Sequence, residues 1–391
     1  MKEIVIAGAA RTPMGGFQGA LEPLSATALG SAAIEAALRD AGADADAIGE
    51  VLMGCVLPAG LGQAPARQAA LGAGLPKDTP CTTVNKVCGS GMKTVMMAHD
   101  QILAGSQDVM IAGGMESMSR APYLSPQMRS GARFGHVQML DHMAFDGLED
   151  AYEGGAMGSF AELCAEEYQF TREEQDAYAV ASLTRATEAQ GSGAFDGEIT
   201  SVTVKTRKED IAIAEDEQPA KARPEKIPNL KPAFKKDGTV TAANASSISD
   251  GAAAVIVTDA ETAEAQGLKI RARILGHASH AQEPAWFTTA PVPATRKLLK
   301  RIGWSVDDVD LWEVNEAFAV VPMAFMRELG VPHEKLNVNG GACALGHPIG
   351  ASGTRIIVTL LNAMEKRGAK RGVAAICIGG GEGTAIALER V

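Results

Sequence analysis

The chain repeats itself, and this limits its fold more than any other feature. Ala36-Ala-Leu-Arg-Asp-Ala-Gly42, running on to Ile48-Gly-Glu-Val-Leu-Met-Gly54, is matched by Leu298-Leu-Lys-Arg-Ile-Gly303, running on to Leu311-Trp-Glu-Val-Asn315. Further along, the Gly-rich turns Cys88-Gly-Ser-Gly91 and Gly350-Ala-Ser-Gly353 each enter a helix-like run. They lead to the apolar strands Asp108-Val-Met-Ile-Ala-Gly-Gly114 and Gly372-Val-Ala-Ala-Ile-Cys-Ile-Gly-Gly380. The offset stays between 261 and 266 residues throughout. Two long copies of helix, glycine and strand do not make a solenoid, whose units are shorter and more numerous. They predict two α/β halves of one topology, packed face to face, with strand-to-helix turns from both converging on a pocket between them.

At 391 residues the chain is long enough for more than one core. The apolar share of 46% with 43 glycines suits a close-packed α/β enzyme rather than a disordered or fibrous chain. The net charge of −11 argues against nucleic acid as the main partner, so an anionic ligand must meet a local basic patch. No apolar stretch approaches the length of a membrane span, and Met1-Lys-Glu-Ile4 leads into a strand-like run without signal-peptide anatomy. A soluble, cytoplasmic protein is expected. Six scattered cysteines with no CxxC pair predict free thiols rather than a disulfide framework or zinc site.

Residues 119–249 differ from both halves and read as an insertion: Met- and Gly-rich to Asp150, helical around Glu162 to Gln190, then polar and Pro-rich to Gly238. Thr171-Arg-Glu-Glu174 has the form of a capping box. Between Pro219 and Lys236 six Lys/Arg face one acidic residue, and four prolines prevent a continuous helix. That loop is either a polyphosphate contact or a solvated surface.

Four segments could carry chemistry, each with an ordinary alternative. Cys88, before a helical run, is placed as a nucleophile whose thiolate the helix dipole would favour, or it is a buried cysteine at a tight turn. His347, in Gly346-His-Pro-Ile-Gly350, is a base able to reach a thiol from the other half, or a surface loop histidine. It lies four residues from Cys343, but no second ligand pair accompanies them, so no catalytic metal is expected. Cys377, ending an apolar strand before Gly379-Gly-Gly381, is an acid/base for a carbon acid or a plain strand cysteine. Asn315 orients water, or caps the following helix.

Together with Arg11-Thr-Pro, Ala112-Gly-Gly-Met-Glu-Ser-Met-Ser-Arg-Ala-Pro122, Gly238-Thr-Val-Thr-Ala-Ala-Asn-Ala-Ser246 and Asn315-Glu-Ala-Phe, these segments resemble the thiolase family over essentially the whole chain, and the short-chain acetyl-CoA acetyltransferases within it. The resemblance implies a five-layered α-β-α-β-α fold: residues 1–118 with 250–270 as the N-terminal half, 119–249 as an inserted loop domain, and 271–391 as the C-terminal half.

It also supplies roles. Cys88 would form the acyl-enzyme and His347 would take its proton. His347, with a water held by Asn315, would line one oxyanion hole; the N–H groups of Cys88 and Gly379 would form another. Cys377 would move the proton at the substrate carbon. CoA and acetyl-CoA would be substrates, with no tightly bound cofactor. CoA contacts are expected at Leu148, Met157, Phe234, Ala242, Ser246, Ala317 and Phe318, and at Lys221 or Arg223 for its phosphates, since Ala220 stands about where the family often has Arg. Two further departures are Ala156, where many short-chain members have His, and Phe287, where a Met commonly lines the acyl pocket, a pattern resembling members that accept a 2-methyl branch. A homotetramer is implied, with Tyr123 to Asp146 as a contact. The alternatives are a broader-range 3-ketoacyl-CoA thiolase, a decarboxylating ketosynthase, which would resemble a Cys/His/His set instead, a cysteine hydrolase, and a non-catalytic CoA-binding relative.

Overall fold

The structure is a computed structural model describing residues 2–391, so Met1 of the opening run lies outside the described residues. The N-terminal half comprises β1 (Ile4–Arg11), α1 (Ala26–Ala41), β2 (Glu50–Gly54), α2 (Pro65–Gly72), β3 (Cys81–Val84), α3 (Ser90–Leu103), β4 (Val109–Ser117) and, after the long insertion, β5 (Ser249–Asp259). The insertion carries α4 (Gly158–Tyr168) and α5 (Arg172–Gly191). The second half repeats the order with β6 (Ala272–Ala281), α6 (Pro291–Ile302), β7 (Leu311–Val314), α7 (Val320–Leu329), α8 (Ile349–Arg367), β8 (Arg371–Ile378) and β9 (Glu382–Arg390).

The duplication extends to strand pairing. In the first half β2 lies parallel between β3 and β4, and β5 runs antiparallel between β4 and β1. In the second, β7 pairs parallel with β8, and β9 runs antiparallel between β8 and β6. The counterpart of β3 has shrunk to one parallel bridge, Trp312 to Leu336. The first helix of each half ends on a left-handed glycine, Gly42 at φ 68° and Gly303 at φ 73°, which is why that glycine recurs in the sequence. The sheets also meet at an edge through the antiparallel pairs Val5 with Arg273 and Ile6 with Ala272, so all these strands form one continuous sheet. The sequence reading of two stacked halves did not include that joint.

Three apolar cores separate the layers. One lies between α1, α2 and the first sheet; one surrounds α3 and α8 between the sheets; one lies under α6 and α7 and extends to α4. Strands covered on both faces need continuous apolar runs, and β5, buried along its whole length, has one in Ala252 to Val257.

Within the insertion the helical stretch is two helices, the second opening at the capping box. Gln169, at φ 54°, ends α4, and α5 restarts at the predicted capping box, with Thr171 Oγ1 accepting from Glu174 N and Glu174 Oε2 accepting from Thr171 N. The prolines of the basic stretch leave a short helix at Glu217–Lys221 and a tighter turn at Pro224–Asn229. Among the described residues no helix is long and apolar enough to cross a membrane.

The central helices touch backbone to backbone. A Cβ at Gly353 of α8 would sit 2.2 Å from the Met92 nitrogen of α3, and one at Gly91 would sit 2.8 Å from the Thr354 nitrogen. Backbone cannot yield as a flexible side chain can, so Gly353→Ala is expected to destabilise by about 3 kcal/mol, the upper part of the overpacking range. Gly191→Ala, with nothing within 4 Å, is the control and should not destabilise. Equal thermal midpoints for the two variants, at one protein concentration, would show that the helices have room to part.

Candidate active site

Cys88 sits in the loop between β3 and α3, held in an unusual backbone shape. Val87 adopts φ 44°, a conformation that costs a β-branched residue energy and needs support from its surroundings. Ser90 supplies part of that support: its Oγ accepts from Lys86 N at 2.8 Å and donates to Val87 O at 2.7 Å. Lys86 pairs with Glu382 of β9, tying the loop to the other half.

His347 precedes α8, and the pocket between the halves brings it to Cys88. Its Nδ1 lies 2.5 Å from Ser352 Oγ, whose own proton points to Pro348 O at 2.9 Å. Ser352 therefore accepts from Nδ1–H, which leaves Nε2 as the bare nitrogen, 3.5 Å from Asn315 Nδ2. Burial, reinforced by the positive charge of Arg355, pushes the His347 pKa down to about 3, so the ring is neutral. Asn315 does not cap α7, which begins at Val320; its N–H binds Ala375 O at 3.0 Å and its Oδ1 faces Arg355 Nη2 at 3.5 Å. Arg355 is in turn fixed by Glu313 at 2.9 Å, a pair buried beneath the site.

Cys377 is fully buried on β8. Burial holds its thiol well above the ordinary value, and the neighbouring Cys88 sulfur adds to the effect. Cys88 requires a correction. The helix-terminus argument favours a thiolate, yet burial pushes this thiol up to about 11, against the opposing pull of the Gly379 and Cys88 N–H groups. Desolvation of a sulfur anion outweighs a dipole that starts two residues further on, at Ser90.

These groups border a mainly apolar cavity of about 570 Å³. Cys88, His347 and Gly379 line it, as do Leu148, Met157, Phe234, Ala242, Ser246, Ala317 and Phe318, while Cys377 and Asn315 lie behind its wall. Ala156 and Phe287 line it too. Lys221 and Arg223 do not. With Lys226 they border a separate hollow of about 280 Å³ that shares Ala242 and Ser247 with the first, and Lys221 pairs with Glu217. Cys343 also borders that second hollow; its sulfur faces the carbonyls of Asn244 and Glu316.

Sequence reading missed three supporting residues: Ser352, Arg355 and Glu116. Buried Glu116 accepts from the backbone of Val56, Leu57 and Gly350, joining the loop after β2 to the first turn of α8, and burial lifts its pKa to about 7 against those three donors. An acid inside the apolar strand Val109–Ser117 was the available signal.

A cysteine and a histidine from different halves on one apolar cavity, with a second thiol and a carboxamide behind its wall, have the residue types that covalent acyl transfer requires. The thiolase N-terminal domain model matches residues 4–261 and the thiolase C-terminal domain model residues 268–390. The chain belongs to the thiolase family. It is 52% identical to acetyl-CoA acetyltransferase 2 of Arabidopsis thaliana, over 99% of this chain and 97% of that protein. It is 51% identical to acetyl-CoA acetyltransferase of Pseudomonas aeruginosa, over the full length of both. The crystal structure of the Acat5 thiolase of Ascaris suum in complex with coenzyme A superposes with a TM-score of 0.95, at 44% identity and full coverage of both chains.

A thiol raised to about 11 beside a neutral imidazole is protonated in the resting enzyme. Alkylation of Cys88 by iodoacetamide, followed by mass spectrometry of its peptide, should accelerate by roughly tenfold per pH unit from pH 7 to 9, as the thiolate fraction does below its pKa. A rate already level at pH 7 would mean a preformed ion pair.

Proposed function

We propose that the chain is an acetyl-CoA C-acetyltransferase, cleaving acetoacetyl-CoA with CoA and, in reverse, condensing two acetyl-CoA. The observation that carries this reading is the meeting of Cys88, His347 and Gly379 on one apolar cavity, with the Cys377 thiol against Cys88 and Asn315 against His347.

In thiolysis Cys88 Sγ attacks the 3-keto carbon of acetoacetyl-CoA as its proton passes to His347 Nε2. The carbon–carbon bond breaks, Cys377 protonates the departing acetyl-CoA carbanion, and acetyl-Cys88 remains. The thiol of CoA then attacks that thioester, its proton returning through the same bases, and a second acetyl-CoA leaves. Because His347 is a poor base at rest, its proton transfer belongs to the moment of attack. Charge developing on the substrate oxygen would be met by the Cys88 and Gly379 N–H groups on one side and by His347 with an Asn315-held water on the other.

CoA would lie along Leu148, Met157, Phe234, Ala242, Ser246, Ala317 and Phe318. Its phosphates would reach toward Lys221 and Arg223, through the wall shared by the two hollows at Ala242 and Ser247. No tightly bound cofactor enters this scheme. A cytoplasmic homotetramer, with contacts in Tyr123 to Asp146, completes the reading; Tyr123, Met128, Phe134, Met139 and Phe145 of that stretch present exposed apolar surface.

A short acyl group fits best, because bulky Met157 and buried Phe287 flank the reacting end, with Phe287 packed edge-on against Phe318. Phe287, in place of a Met, favours a 2-methyl branch as a second substrate class, and Ala156, which leaves the same wall without a polar side chain, favours altered CoA affinity or wider acyl scope.

Purified protein given acetoacetyl-CoA and CoA should turn over, and Cys88→Ala should lose at least about a thousandfold in kcat. Cys377→Ala should still become acetylated at Cys88 by acetyl-CoA yet fail to condense. 3-Ketohexanoyl-CoA should be a poor substrate, and 2-methylacetoacetyl-CoA a better one than for a Met-type enzyme assayed alongside. Folded protein inactive on every one of these thioesters would overturn the assignment.

A further inference from the structure

Two histidines and a carboxylate converge on the outer end of α3, apart from the residues of the reaction. His99 and Asp100 are consecutive on α3, and His277 comes from β6 of the other half. Asp100 Oδ1 lies 3.0 Å from His99 Nδ1 and 2.9 Å from His277 Nε2, and the ligand atoms of all three lie within 4.8 Å of one another. The rings meet edge to face with centroids 5.0 Å apart. Both imidazoles are largely buried, with 12% and 11% of their side chains exposed, whereas Asp100 opens to solvent at 56%. Arg301 anchors the His277 carbonyl at 2.6 Å.

We propose that His99, Asp100 and His277 form a binding site for a divalent transition-metal ion of the zinc class, clipping the N-terminal half to the C-terminal half. Imidazole nitrogens and one carboxylate are the donor set such ions prefer, and water on the open Asp100 side completes a tetrahedron. The carboxylate oxygen that now accepts from both rings marks the centre on which the three donors converge. Only small movements are needed for ligand distances of about 2.0 to 2.2 Å. On binding, each ring shifts its proton to its other nitrogen, so coordination needs neutral imidazoles. Two imidazole nitrogens in the donor set favour ions that bind nitrogen strongly over calcium or magnesium, which prefer all-oxygen sites.

The test uses the untagged full-length protein and Co²⁺ as probe, because cobalt bound to thiolate shows a charge-transfer band that cobalt on imidazole and carboxylate lacks. Expected are one saturable visible band per chain without the thiolate band, a rise in thermal midpoint with added metal, and at least about tenfold weaker binding in His99→Gln and in His277→Gln. Asp100→Asn keeps an oxygen able to accept from both rings and should also weaken binding, which separates ligation from local collapse. Retained turnover of acetoacetyl-CoA, or an unaltered circular dichroism spectrum should that activity be lacking in the wild type, shows each variant to be folded. Cobalt affinity unchanged in both histidine variants, a spectrum dominated by thiolate, or no binding at millimolar Co²⁺ would overturn the proposal.

Discussion

The backbone contact between α3 and α8 is the constraint on which the rest depends. Each helix begins two residues beyond a cavity-lining residue, Cys88 or His347, and each gives up side chains at the crossing through Gly91 and Gly353. That closeness brings Cys88 and His347, 259 residues apart in the chain, to one cavity. The outer layers hold the two helices in register. β5, buried on both faces, backs them from one sheet and β8 from the other, and Glu116 stitches the first turn of α8 to the loop after β2. A side chain inserted at the crossing would move the two reactive groups apart before it disturbed either alone.

Much of this was legible in the sequence because it concerns local chemistry. The repeat exposed two matching halves, since a helix closed by Gly42 or Gly303 and followed by a strand leaves the same mark twice. Cys88, His347 and Cys377 stood out because each lies at the end of an element beside glycines, where the backbone can come close to a substrate, and Asn315 because it ends the repeated strand of the second half. What was not legible depends on partners distant in sequence. Nothing near Arg355 shows that it will face Glu313 and Asn315, and nothing near Val5 shows that it will pair with Arg273. The ionisation of Cys88 was misjudged for the same reason: a helix terminus can be read locally, whereas burial is a property of everything packed around it.

Lys221 and Arg223 show the same limit from the binding side. Charge counting located the basic stretch, but prolines break it into a short helix and a tighter turn, and Lys221, Arg223 and Lys226 border a hollow beside the main cavity. An apolar cavity and a separate basic hollow beside it suit the proposed ligand, whose thioester arm is largely uncharged and whose phosphates are anionic. Lysine and arginine inside the main cavity would be costly to desolvate.

The duplication also bears on why the surroundings of His347 and Cys88 favour their neutral forms. Packing two equivalent helices side by side points two positive helix ends toward one cavity. A permanent imidazolium there would meet unfavourable dipoles as well as Arg355, and a permanent thiolate would have to leave water for an apolar wall. Both groups therefore stay neutral, with His347 held down to about 3 and Cys88 up to about 11. Only a species whose negative charge arises on an oxygen already facing N–H donors gains from the field without bearing the full cost of desolvation. The helix ends disfavour an imidazolium, and burial disfavours a thiolate in spite of them; under the proposed reaction, what the same ends favour is negative charge arising on a substrate oxygen that faces N–H donors.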